Sequence, residues 1–95
     1  MSKIVKTKYH GSIDLDMYKE YTVKNIFKAL PLKEEGKDWK KYLDGLLIEL
    51  NGMDILVSEI NLMAVIGKLE GLKSIDEHDM FRKVIFDCID LVKKI

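Results

Sequence analysis

Ninety-five residues suffice for one domain, since chains usually divide only beyond roughly 250–300 residues. Sixteen Lys+Arg balance sixteen Asp+Glu, and apolar residues make up 47% against 34% charged. This excludes a disordered charged tail, a collagen-like repeat, a disulfide scaffold and binding to nucleic acid by bulk charge alone.

The first segment, Ile4 to His10, alternates loosely and carries Val, Thr and Tyr, which fits an extended arm or short strand over residues 1–13 ended by Gly11-Ser12. Asp14 or Asp16 can cap a following helix. Leu15, Tyr18, Tyr21, Ile26, Phe27 and Leu30 then recur at helical spacing, with Val23 off the stripe. Pro31 is expected to stop this helix.

A charged loop follows from Lys33 to Lys37 around Gly36, and Asp38 is placed to cap a second helix. Trp39, Tyr42, Leu43, Leu46, Leu47 and Leu50 form one face of it, and Asn51-Gly52 are expected to end it. Ser58 or Asn61 can open a third helix with the stripe Leu62, Val65, Ile66 and Leu69, capped by Gly71. Gly67, four residues before Gly71, is expected at a close packing contact.

Ser74 and Glu77 are spaced as a capping box for the last helix. Phe81, Val84, Cys88, Leu91 and Ile95 follow a 3-4-3-4 spacing, broadened by Ile85, Ile89 and Val92. Asp76, Glu77 and Asp79 oppose the positive end of the helix dipole, and Lys93 and Lys94 the negative end. Asp79–Lys83 and Asp90–Lys94 are pairs four apart in the favourable order. The expected fold is mainly α: a small antiparallel bundle of about four helices over residues 14–95, within one domain spanning 1–95.

Groups that carry chemistry are scarce. Cys88 is the only cysteine, so neither an intramolecular disulfide nor a thiolate zinc cluster can form, and it reads as a small buried hydrophobe. His10 and His78 have no partner at ligand spacing; His10 suits a turn and His78 the first turn of the last helix. Asp14 and Asp16 would share one face of an extended segment, as a cation site or an acid/base pair needs, but capping explains them more simply. Ser2, Ser12, Ser58 and Ser74 sit in no nucleophile motif. No metal, cofactor or catalytic residue is expected.

Residues 1–10 are basic without a following apolar core, and the longest uncharged stretch, Ile60 to Gly67, has eight residues, well short of the roughly 18 a membrane span needs. The expectation is a cytoplasmic protein without membrane contact.

The zero net charge conceals a partition. Residues 1–41 hold ten lysines and six acids, hence +4, and residues 42–95 hold six basic groups and ten acids, hence −4. Tyr42 to Gly67 contains no basic residue and sixteen apolar ones, which predicts a core hairpin whose excess spills onto the surface near its connection. The expected partner-binding residues are Trp39, Lys40, Lys41 and Tyr42, with Met53, Ile55 and Leu56 in that connection. Lysines interleaved with aromatic rings also suit core anchors flanked by solvated charges.

These features point to a non-enzymatic protein-interaction module that binds another protein and can also pair with itself. Such small helical chains are frequent among regulators, inhibitors and assembly factors of mobile elements, a likeness of class and not of motif. The alternative is a nucleic-acid-binding transcriptional regulator using Lys3, Lys6, Lys8, Lys37, Lys40 and Lys41. The single arginine, Arg82, argues against it, because reading base edges depends on the guanidinium fork.

Overall fold

In the computed structural model, which describes residues 4–7, 11–51 and 60–95, the N-terminal segment folds back on itself as a hairpin. Strand β1 (Ile4–Thr7) pairs antiparallel with β2 (Gly11–Asp14), with Ile4 opposite Asp14 and Thr7 opposite Gly11. Gly11 therefore opens a strand where the sequence suggested an end. Its φ of +68° is a backbone conformation glycine adopts without steric cost.

Asp14 closes β2 and caps helix α1 (Leu15–Phe27). Its Oδ1 accepts hydrogen bonds from the backbone N–H of Asp16 at 2.9 Å and of Met17 at 3.3 Å. Tyr18, Thr22 and Ile26 face inward from α1 at four-residue spacing, while Tyr21 and Phe27 turn outward. Thr22 takes an inner position that the apolar pattern had given to neighbouring aromatic residues.

Pro31 acts four residues upstream of where it stands. It offers no N–H to the Phe27 carbonyl, and its ring crowds that oxygen, so α1 ends at Phe27. The chain does not leave helical geometry: α2 (Ala29–Glu34) begins past Lys28, and Pro31 is its third residue. First-turn N–H groups have no intrahelical partner, so proline costs nothing there. The single helix expected up to Pro31 is thus two, and the described residues form five helices.

Helix α2 closes in a Schellman motif. Lys37 N–H donates to Leu32 O at 2.9 Å and Gly36 N–H to Lys33 O at 3.1 Å, with Gly36 at φ +69°. Two residues later Asp38 caps α3 (Trp39–Asn51), its Oδ1 accepting from Lys41 N–H at 3.1 Å. This short joint fixes where Trp39 enters the fold. From α3, Leu43, Leu46, Leu47 and Leu50 are buried.

Helix α4 (Ile60–Leu72) buries Leu62, Val65, Leu69 and Leu72 and leaves Ile66 half-buried. It passes through Gly71, which is neither its end nor a left-handed cap. Gly67 likewise makes no close contact among the described residues, where a Cβ added at either glycine would meet nothing within 4 Å. The chain turns after Leu72 through Ser74 N–H to Gly71 O and Ile75 N–H to Leu72 O.

Helix α5 (His78–Lys93) starts four residues after Ser74, so the expected capping box does not form. Its N-cap is Glu77, in extended conformation and without a side-chain cap bond. Ile75, between Ser74 and the helix, packs half-buried against the core. Asp79 in the first turn and Lys93 in the last complement the dipole. Neither Asp79–Lys83 nor Asp90–Lys94 is among the ion pairs found in the described residues.

The buried face of α5 is Phe81, Ile85, Cys88, Ile89 and Val92, with Val84, Leu91 and Ile95 on its flanks. The centre of the stripe is therefore turned by about 60° from the expected one, toward the residues that had broadened it. Helix α5 packs against α1, α2 and α4, and α3 packs against α2 and α4. Lys19 Nζ in α1 donates to Ile95 O at 3.1 Å, which sets α1 and α5 antiparallel. The result is a mainly α bundle carrying a short β-hairpin. No helix of the described residues is long and apolar enough to cross a membrane.

Candidate interaction surfaces

Trp39 is anchored more firmly than a surface hot spot would be. Its ring meets Phe81 edge-on, with centroids 5.1 Å apart and planes at 82°. Lys33 Nζ lies 4.7 Å from the Trp39 centroid and 5.3 Å from that of Phe81, and Lys40 Nζ lies 5.5 Å from Trp39. Both ammonium groups thus cover the outer side of a half-buried ring instead of reaching freely into solvent.

Tyr42, one turn along α3 from Trp39, reaches a different neighbour. The Tyr42 hydroxyl donates to Asn25 O of α1 at 2.6 Å. Around that bond lies an open groove of about 320 Å³, between Tyr21 and Asn25 of α1 and Lys41, Tyr42, Leu46 and Glu49 of α3. Burial pushes the Tyr42 pKa up, and the charges of Glu49 and Tyr21 add to it. Tyr18 beneath is also raised by burial, with Thr22 opposing and Glu49 adding, though no hydrogen bond of good geometry reaches its hydroxyl. Both phenols are neutral at ordinary pH, and Tyr42 is the one seen donating.

Of the expected partner-binding residues, Trp39 and Tyr42 therefore lie about 60° apart on the inner side of α3 and reach different neighbours, Phe81 of α5 and Asn25 of α1, while Lys40 and Lys41 are exposed. Met53, Ile55 and Leu56 lie outside the described residues, as do His10 and Ser58.

Among the described residues, the most exposed aromatic surface lies elsewhere than expected. Phe27 at the end of α1 meets Phe86 of α5 edge-on, with centroids 6.2 Å apart and planes at 64°. The two residues remain 48% and 41% exposed. Arg82 Cζ stands 5.6 Å from the Phe86 centroid. Leu30, Pro31 and Glu34 complete a shallow groove of about 330 Å³ beside them. Glu34 Oε1 is also 3.3 Å from His78 Nε2, which ties the end of α2 to the start of α5. The sequence signal was Arg82 and Phe86, four apart on the outer side of α5; their meeting with Phe27 is a tertiary event.

Neither groove holds a nucleophile paired with a base. Cys88, the one thiol, is fully buried, and burial pushes its pKa up to about 12. Among the described residues no three His, Cys, Asp or Glu side chains converge as metal ligands would. No known protein family, curated protein or solved structure matches this chain.

Proposed function

We propose that this chain is a non-enzymatic, cytoplasmic protein-interaction module, acting as a regulator, inhibitor or assembly factor by binding a protein partner. The observation that carries this reading is the Phe27–Phe86 pair, two packed rings held in solvent beside Arg82. Scattered exposed apolar residues need no explanation, but a contiguous aromatic pair with an arginine is the residue mix that interface centres favour. The groove walled by Leu30, Pro31 and Glu34 gives a partner side chain somewhere to enter.

The alternative, binding to nucleic acid through the basic N-terminal half, has less support. Lys37 stands 3.1 Å from Glu35, and Lys33 and Lys40 lie on Trp39. Fewer ammonium groups are then left to meet phosphates. A gel shift at low salt with micromolar protein should give no retardation, the condition under which nonspecific binding is strongest.

The interaction reading is tested by affinity capture with the wild type and a Phe27→Ala/Phe86→Ala variant. The wild type should retain one protein at near-equal stoichiometry, and the variant, folded by circular dichroism, should lose it. A wild type that retains no specific protein sinks the proposal.

A further inference from the structure

Helix α4 is apolar almost all the way round, a pattern that belongs to a helix covered on every side. Only part of it is covered. Ile60 is 77% exposed and Met63 56%, and Gly67 and Gly71 are exposed on the same face, with Ala64 half-buried among them. Among the described residues, nothing lies within 4 Å of where a Cβ on either glycine would stand. A glycine inside a helix weakens it relative to alanine, so a close contact that would justify two of them is not supplied from within.

The flanks of this face carry the second observation. At 3.6 residues per turn, Lys68 and Glu70 fall on opposite sides of the Ile60–Gly67–Gly71 line, each about 80° from it. Both are exposed, and neither has an ion-pair partner among the described residues. Two residues apart on a helix, they do not face each other. They differ by only about 3 Å in height along the axis.

We infer that this face of α4 binds the α4 of a second copy of the chain, with the two helices parallel about a two-fold axis. In that arrangement the left flank of each helix meets the right flank of the other. Lys68 of each copy then lies against Glu70 of its partner, twice, and the uncharged stripe between them is buried. Gly67 and Gly71 let the two backbones approach closely. Antiparallel helices would instead set Lys68 against Lys68 and Glu70 against Glu70, which is repulsive. A helix of 13 residues is a small interface, so the dimer dissociates on dilution.

This self-association uses residues separate from the Phe27–Phe86 surface, and the two readings fail separately. Sedimentation velocity from micromolar to millimolar protein should show the 11.0 kDa chain giving way to twice that mass. Met63→Glu, at an exposed position, should leave the melting curve unchanged and abolish the dimer. Lys68→Glu or Glu70→Lys alone should weaken association several-fold, and Lys68→Glu with Glu70→Lys should restore it, because the pairs re-form with signs exchanged. Phe27→Ala/Phe86→Ala should dimerise like the wild type. The inference is overturned by a wild type that is monomeric throughout, by a Met63→Glu variant that still dimerises, or by a double charge swap no better than the single ones. A monomeric wild type would leave the capture experiment on Phe27 and Phe86 standing.

Discussion

Two edge-to-face aromatic pairs reach from α5 to its neighbours, and they have opposite fates. Phe81 with Trp39 forms one, with centroids 5.1 Å apart, and Phe86 with Phe27 the other, at 6.2 Å. A cation lies on each, Lys33 on the first and Arg82 on the second. Phe81 is fully buried, whereas Phe86 is 41% exposed. Five residues along a helix are about 140° around it, so the two phenylalanines leave α5 on different sides. The inner pair is closed by α3, which the Schellman turn and Asp38 swing across it. The outer pair sits where α1 ends at Pro31's behest, with nothing in the described chain laid over it. Similar ring geometry therefore serves folding in one place and is available for recognition in the other.

The largest effect should separate the pairs by stability. Phe81→Ala should destabilise the fold by about 3–5 kcal/mol in urea unfolding, since it empties a site closed on all sides. Phe86→Ala should cost no more than about 1 kcal/mol while abolishing partner capture. Equal costs for the two would break the comparison.

Alkaline pH should act next, on the inner side alone. The thiol of Cys88 has its pKa raised by burial from 9.0 to about 12, with Lys68 opposing and Asp87 adding. The unfolded chain therefore loses this proton first, and stability falls as pH rises between those values, by roughly a few kcal/mol in all. Cys88→Ala should flatten that part of the decline in denaturation series run across the range. For the same reason, iodoacetamide should label the native thiol slowly at pH 8, faster in Phe81→Ala and no faster in Phe86→Ala.

Asp38→Ala tests whether the cap at 3.1 Å holds Trp39 over Phe81. It should cost about 1 kcal/mol and red-shift the Trp39 fluorescence, leaving the Phe27–Phe86 surface intact. Smallest of all should be the cations. Lys33→Ala is expected to lose about 0.5–1 kcal/mol of stability, and Arg82→Ala less than that in the free protein with a clear loss of partner affinity.

Much of the fold was legible from periodicity. The leucine face of α3, the stripe of α4 and the existence of α5 follow from apolar residues three and four apart, which a helix must gather on one side. Caps were legible in part. Asp14 and Asp38 cap their helices as local chemistry suggests, whereas α5 starts past Ser74, after Ile75 has packed half-buried against the core. The site was less visible. Trp39 and Tyr42 stood out by residue type, yet both are tied inward, one to Phe81 and one to Asn25.

The apolar content, the lone cysteine and the helical spacing determined the mainly α class without reference to any coordinates, because they are properties of composition and local backbone geometry. Tertiary structure alone decided which apolar residues stay outside. Whether Phe27, Phe86, Ile60 and Met63 are core or surface depends on how the helices rotate when packed, and a rotation of one residue, about 100°, exchanges the two. Neighbouring helices select that rotation together, through the volume they can fill without voids, and no single helix encodes it.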